Sequence, residues 1–368
     1  MQLDRFCLQL QPGSGFQGVL GAAATVAALK QLRLKDCRVV DREPLLQFPA
    51  ELEHLSIWSL YTLPGDGLGQ SDMAQFSTGV LQQLQHLTHL DLGRVAIVGP
   101  NPALQLLQAL TRLVELELRE LSDLPPEVIT SSMLSGMQQL TDLSLGDEVQ
   151  LEPDVLAGLT QLQRLCLSGC EARTGAAGVA QLLSHLQPLQ QLTHLSWHFV
   201  PPLQLQRPKQ ALAHLNLHAV EEGCPAAAAY AALTASSKLQ YLEISYCQLP
   251  PGVWQHLFPS GRHLPNLQSL NISGVRRSGK DAWEDYAPAP EGRLVSCCPA
   301  LQCLNMEHLC NPEVAVVQGL SKLQSLRFTC GDSQVEVLQA VCHLTGLRSL
   351  KFQASRGLDA GPDALGSS

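Results

Sequence analysis

The apolar positions of this chain fall into one recurring frame. In Leu162-Gln163-Arg164-Leu165-Cys166-Leu167-Ser168-Gly169-Cys170, leucines stand at positions one, four and six and a thiol at nine. Leu165 and Leu167 are two residues apart. A helix would turn them to different faces, whereas a strand alternates its side chains and buries both. The frame predicts a short strand with Leu165 and Leu167 inward and Arg164, Cys166 and Ser168 outward. Fourteen copies start at Leu3, Leu29, Leu52, Leu87, Leu113, Leu140, Leu162, Leu192, Leu212, Leu239, Leu267, Leu301, Leu323 and Leu347, spaced 20 to 35 residues apart with a mean of 26.5. Position four is Leu in all but the first copy, which has Phe6, and position six is always Leu, Ile, Met, Phe or Trp. Repetition at this period means a solenoid, in which each unit buries its apolar edge against its neighbours. The expected domain plan is one solenoid over residues 1–354 and a disordered Gly-, Ala- and Ser-rich tail over 355–368.

The segments between copies predict the return paths. Helices are expected over 19–28, 72–85 (Ser71 as N-cap), 103–110, 127–138 and 154–159, the last three beside Pro102, Pro126 and Pro153, since Pro at a helix start loses no internal hydrogen bond. An Ala-rich helix is expected over 224–237. The copy at Leu192 is too short for a helix, and its return through Pro201-Pro202 should be extended. Two long excursions cover 64–71 and 273–300. Nothing polar precedes Leu3 to cap the first repeat, so the expectation is a missing upstream domain or a partial gene product.

These copies carry a family resemblance. The frame LxxLxLxxC over roughly residues 3–353 resembles the leucine-rich-repeat proteins. The resemblance implies an α/β solenoid curved as a horseshoe, with a parallel β-sheet on the concave face and helices and irregular segments on the convex face. Position nine is Cys at Cys37, Cys170 and Cys247 and mostly apolar elsewhere, as at Leu60, Val95, Leu121, Val200, Val220, Val275 and Leu309. The absence of Asn there departs from extracellular types and is similar to the intracellular cysteine-containing type of F-box adaptors. The Gln-, Ala- and Gly-rich drift of the repeats suggests a GC-rich, green-algal type of genome, in which such proteins also serve on cytoskeletal or ciliary structures.

Composition narrows the partner class. A net charge of −9 argues against nucleic acid or an anionic membrane as the main partner. The twelve Cys follow the repeats rather than a disulfide framework, which reads as reduced thiols. The apolar run over 16–29 is too short to span a bilayer, and no targeting segment is visible. An intracellular, cytoplasmic protein is expected, monomeric unless the uncapped first repeat pairs.

Strand alternation then selects the working surface. Positions three, five and seven point away from the core. Basic residues gather at the ends of that face, Arg5, Arg33 and Lys35 early and Arg327 and Lys351 late, with acidic Asp91, Glu115, Glu117 and Asp142 between them and Glu243 and Glu307 later. The residues expected to bind a protein partner on the concave face are Trp58, His89, Asp91, Glu115, Glu117, Arg119, Asp142, Arg164, His194, His198, His214, His218, Tyr241 and Glu243, because aromatic and Arg side chains dominate interface energetics.

Other motifs are weaker. The cross-strand pairs His194/His214 and His198/His218 lie within reach of a shared metal, but two imidazoles are too few ligands, and solvated His decorating the sheet is the simpler reading. The run from Gly274 to Lys280 spells GxxxxGK, yet Asp281 stands where Ser or Thr must hold a metal, so nucleotide binding is not expected. Asn271-Ile272-Ser273 is a sequon on a strand, and Cys297, Cys298, Cys303 and Cys310 lack zinc spacing. No catalytic constellation appears, and neither a cofactor nor a metal is expected. The leading reading is a non-catalytic protein-binding scaffold. The alternatives are the substrate-recognition part of an F-box-type ubiquitin ligase, and an enzyme regulator with Arg276 or Arg277 on its rim, as in GTPase-activating solenoids.

Overall fold

A computed structural model describes residues 5–9, 29–36, 38–39, 48–59, 61–62, 75–77, 81–98, 107–119, 127–146, 149–152, 154–169, 171–172, 185–186, 188–198, 211–218, 227–277, 290, 293–307, 318–330, 339 and 341–354. The chain divides into two compact units, Met1–Leu192 and Thr193–Ser368. Every anchor is followed two residues later by a strand. The first unit holds β1 (Arg5–Gln9), β2 (Gln31–Lys35), β3 (His54–Trp58), β4 (His89–Gly93), β5 (Glu115–Arg119), β6 (Asp142–Leu145) and β7 (Arg164–Ser168). The second holds β8 (His194–His198), β9 (His214–His218), β10 (Tyr241–Ser245), β11 (Ser269–Asn271), β12 (Cys303–Met306), β13 (Ser325–Cys330) and β14 (Ser349–Ala354).

Within each unit, successive strands pair in parallel. The register never slips: position three lies beside position three, as His54 beside His89, and four beside four, as Leu55 beside Leu90. Each repeat position therefore becomes a straight row across the sheet. Rows one, four and six are the core. Leu29, Leu52, Leu113 and Leu162 (position one), Leu116, Leu165 and Leu242 (four) and Leu118, Leu167, Trp197 and Phe328 (six) are all buried. The exception is the last strand, where Leu350 and Phe352 are 41% and 48% exposed.

Beyond the strand, a rule emerges that the nine-residue frame does not contain. Position eight is left-handed at Asp36 (φ 55°), Ser59 (59°), Arg94 (52°), Gly169 (66°), Tyr246 (55°) and Gly274 (64°). Its amide donates to the carbonyl of position seven on the next strand, as Asp36 to Trp58 (2.9 Å), Ser59 to Gly93 (2.9 Å) and Tyr246 to Ser273 (2.9 Å). A non-glycine residue in this region costs about 1–2 kcal/mol, offset here by the bond it makes. Position nine then dives into the core, with Val95, Cys247 and Val275 fully buried. The Cys247 thiol lies 3.4 Å from the Leu217 carbonyl and 3.3 Å from that of Ser245, so one small side chain serves as both filler and donor. Positions ten and eleven form short, separate parallel pairs: Arg38–Val39 with Tyr61–Thr62, and Gln248–Leu249 with Arg276–Arg277.

Further short parallel pairings displace several of the expected helices. The segment 72–85 contains the strand Gln75–Ser77, which pairs with Ala96–Val98. The segment 127–138 begins as the strand Glu127–Ile129, paired with Val149–Leu151, and keeps only a four-residue helix, Ser131–Leu134. The β-branched Val128 and Ile129 favour that choice. Residues 154–158 are turns, 107–109 make one 3₁₀ turn, and the Ala-rich stretch is a 3₁₀ helix over Ala227–Ala232. Repeats this short leave too few residues for a three-turn helix once a second strand is formed. The expectations for 19–28, the excursion at 64–71, Pro201-Pro202 and the tail lie outside the described residues, as do most of 278–300.

Candidate functional site

Every residue expected on the binding face stands at position three, five or seven of its strand, opposite the core rows, and none of them is buried. In the first unit the face is a lattice of charge pairs. Arg164 binds Asp142 through Nε and lies 3.8 Å from Glu115. His89 Nε2 is 3.5 Å from Glu115, and Arg119 is 2.7 Å from Glu117. The acidic run is thus not an open negative patch, because Arg119 and Arg164 sit among the acids. At the far end, Lys351 is 2.9 Å from Glu307.

The centre of that lattice is partly dehydrated. Asp91 and Glu117 are neighbours in row five. Burial pushes both carboxyls above their ordinary range, against the Ser56 hydrogen bond at Asp91 (2.8 Å) and the Arg119 charge at both. The Asp91 charge raises Glu117 further. The Oδ1 atom of Asp91 is buried without a hydrogen-bond partner. In row seven, Trp58 covers the buried Gly93: a Cβ there would lie 2.3 Å from Trp58 Cε3. Glycine is required because the indole occupies the space of its side chain.

Threonine at position two organises row three. Thr88 Oγ1 lies 2.8 Å from His89 Nδ1 and donates to the Glu53 carbonyl (3.0 Å). Thr193 Oγ1 lies 2.8 Å from His194 Nδ1, and Thr141 Oγ1 donates to Asp142 (2.7 Å). At Thr88-His89 and Thr193-His194 the threonine hydroxyl thus holds the ring beside it. The rings then meet across strands, stacked in the first two pairs and tilted in the third. Centroids lie 3.8 Å apart in His54/His89, 4.2 Å in His194/His214 and 5.4 Å in His198/His218. Burial, and then the neighbouring His89, hold His54 below the ordinary imidazole range.

In the second unit, Glu243 is the hub. It accepts hydrogen bonds from Tyr241, from Ser245 (2.9 Å) and from Asn271 (3.0 Å). Burial and the Glu243 carboxylate raise the Tyr241 hydroxyl far above its ordinary value. The sequon amide of Asn271 is thereby engaged within the sheet. Tyr246 was not among the expected residues. It follows the strand at position eight, is half exposed, and packs edge-on to His218 at 5.3 Å. Its ring leans over Gly274, where a Cβ would come within 2.7 Å. A frame that ends its outward positions at seven cannot reveal it.

For metal chemistry the geometry is poor. The His194 and His214 planes differ by 8°, so their in-plane lone pairs run side by side instead of converging on one ion. Among the described residues no group of three or more His, Cys, Asp or Glu is placed to hold a metal. Cys297 and Cys298 are buried and Cys303 is exposed, while Cys310 lies outside the described residues. Burial pushes the Cys298 thiol up to about 12. In the GxxxxGK run, Gly274 forms a turn and Arg276–Arg277 a strand, and the remainder lies outside the described residues. Among the described residues no helix is long and apolar enough to cross a membrane.

No protein-family model matches the chain, and no curated protein does. Solved structures do. An internalin from Listeria monocytogenes is similar with a TM-score of 0.55 at 18% identity, over 92% of this chain and 87% of that one. A leucine-rich-repeat protein from Leptospira interrogans matches at 16% identity over 95% of both chains, with a TM-score of 0.45. The Toll–Spätzle complex of Drosophila matches at 16% identity and a TM-score of 0.48, over 89% of this chain and 47% of that one. At these identities the likeness concerns the fold, which is that of a leucine-rich-repeat, parallel-sheet solenoid.

Proposed function

We propose that this protein is a non-catalytic scaffold that binds a protein partner through the outward face of its repeat strands. One observation carries the reading: fourteen strands in unbroken register within their units turn every non-core position into a row, and those rows hold Trp58, Arg119, Arg164, Tyr241 and the stacked imidazoles. Aromatic and Arg side chains concentrate interface energy, and a rigid sheet presents them without an ordering cost. Glu115, Glu117 and Asp142, held by Arg119, Arg164 and His89, give that surface a fixed charge pattern that selects partners.

The cysteine pattern favours a narrower second reading. Cys166, Cys247, Cys297, Cys298, Cys303 and Cys342 are free thiols, and the buried Cys247 serves its turn as a donor. That suits a reducing, intracellular setting and the adaptor class of F-box-type ubiquitin ligases. Affinity capture from native lysate tests both. The bait is the full chain, beside a variant carrying Glu115→Gln, Glu117→Gln and Asp142→Asn, which removes charge while keeping shape. A partner retained by the parent and lost by the variant supports the scaffold reading, and ubiquitin-ligase core subunits in the parent eluate support the adaptor. A partner retained equally by both would remove the first unit's face from the interface.

A further inference from the structure

The packing rule of the sheet fails at one strand. On β2 to β13 every residue of rows one, four and six is buried, with a strand on either side. On β14, Leu350 is 41% and Phe352 48% exposed, and the anchor Leu347 is only half-buried. Among the described residues β14 has a strand on one side alone, β13. The two pair over six residues without a slip. Phe352 lies against Phe328 of β13, with ring centroids 6.4 Å apart, so the packed side of its ring faces that strand.

The backbone is open at the same place. The Arg348 and Ser349 amides both donate to the Gln324 carbonyl, at 2.8 Å and 3.0 Å. The same contact marks the step before, where the Gln324 and Ser325 amides donate to the Gln302 carbonyl at 2.7 Å and 2.9 Å. Peptide groups point to alternate sides along a strand. Ser349 and Lys351 therefore turn theirs toward β13, and Leu350 and Phe352 turn theirs toward the open edge. That edge presents donors, acceptors and apolar side chains with the two-residue period of a strand. Another extended peptide matches all three.

Charge decides which peptide. Lys351 stands between Leu350 and Phe352, in row five beside Arg327. Both cations are exposed and share one carboxylate: Lys351 is 2.9 Å from Glu307, and Arg327 has no ion pair among the described residues. A second copy pairing edge to edge would bring Lys351 and the exposed Arg348 against cations of their own kind. Lys on an edge strand is a usual obstacle to such pairing. A carboxylate in the same row turns the obstacle into a contact. Arg327 lies on β13, between β14 and the Glu307 that follows β12, so it is placed to hold Glu307 when Lys351 turns to the edge.

We infer that the open edge of β14 docks an extended segment of another protein that reads apolar-acidic-apolar. The segment adds a strand whose apolar side chains cover Leu350 and Phe352 and whose carboxylate lies beside Lys351. Its register follows from the rest of the sheet, where like positions lie side by side. It continues rows four, five and six by one strand spacing, about 4.8 Å. This edge is a different surface from the outward rows, and the inference goes beyond the scaffold reading built on them.

The test uses the full chain and the fluorescein-labelled peptide GSTLELTSG, followed by anisotropy at pH 7.5. The comparison peptides are GSTLKLTSG, with a cation at its centre, and GSTSESTSG, without the apolar pair. The expected result is saturable binding of GSTLELTSG, about tenfold tighter than either comparison. Phe352→Ser should weaken it by a similar factor while keeping the parental circular dichroism. Lys351→Glu should reverse the preference, so that GSTLKLTSG binds more tightly than GSTLELTSG. That reversal stands as the test if Phe352→Ser does not fold. Absent binding, equal binding of the three peptides, unchanged binding by a folded Phe352→Ser, or an unreversed preference in Lys351→Glu would overturn the inference. So would a parent that sediments as a dimer and a Phe352→Ser variant that is monomeric, which would give the edge to a second copy. Binding seen only in Leu358→Ser/Leu365→Ser would likewise overturn it and give the edge to residues 355–368 of the chain itself. Capture of a partner through the Glu115 face would survive any of those results, so the two readings fail separately.

Discussion

Gly93→Ala tests the register of the sheet with a single methyl group. Gly93 lies beside Trp58 in row seven. A Cβ built on it falls 2.3 Å from Trp58 Cε3, 2.5 Å from Cζ3 and 3.0 Å from Cδ2, all within one ring system. The backbone cannot absorb the overlap, because Gly93 is fixed in the ladder and its carbonyl accepts from Ser59. The indole must move. Overpacking of this kind costs about 1–3 kcal/mol. Without the indole the sign reverses, since alanine in a strand gains roughly 0.5–1 kcal/mol over glycine. A double-mutant cycle with Trp58→Ala, read by urea denaturation, should therefore show Gly93→Ala destabilising the parent and not the Trp58→Ala background. The same cost in both backgrounds would refute the juxtaposition, and with it the row geometry on which the binding face depends.

Three further outcomes follow from the core and from two shifted groups of the first unit, Asp91 and His54. Leu165→Ala should cost about 2–5 kcal/mol in the same assay through the cavity it leaves, and unaltered stability would exclude the buried strand. Asp91 binds its proton more tightly folded than unfolded, so its contribution to stability declines as pH rises through the carboxylate range. Asp91→Asn, which can still accept from Ser56, should melt above the parent at pH 7 with the difference closing toward pH 4; a lower melt at pH 7 would contradict the burial argument. His54 is shifted the other way: the unfolded chain binds that proton more tightly, so stability is lost as pH falls through the imidazole range. His54→Gln should flatten the loss, and an unchanged pH profile of melting would refute it.

The repeat frame was legible because it is hydrophobic. Leu165, Leu167, Leu242 and their equivalents are buried where alternation placed them, and all fourteen anchors precede strands. The side chains at positions three and five alternate with those buried rows and are left partly or fully exposed. What escaped was written in backbone conformation and in cross-strand geometry. Position eight is left-handed whether it is Gly169, Asp36, Arg94 or Tyr246, so composition gives no consistent mark of it. The strand that replaces a helix at 127–129 depends on pairing with 149–151, some twenty residues away. The neutralisation of Glu115 and Asp142 by Arg164 is likewise visible only once β5, β6 and β7 lie side by side. The Thr at position two was in plain view at Thr88 and Thr193, but its bond to the following His needs the strand's turn-in geometry to be recognised.

Site-specific photo-crosslinking tests the central claim most directly. A benzoylphenylalanine replaces Arg119 on the outward face in one full-length protein, and the exposed Gln138, away from the repeat strands, in another. Both are irradiated in native lysate. The scaffold reading predicts a discrete crosslinked partner from position 119 and none from position 138. A partner crosslinked from 138 and absent from 119 would contradict it, and would move the working surface off the sheet altogether.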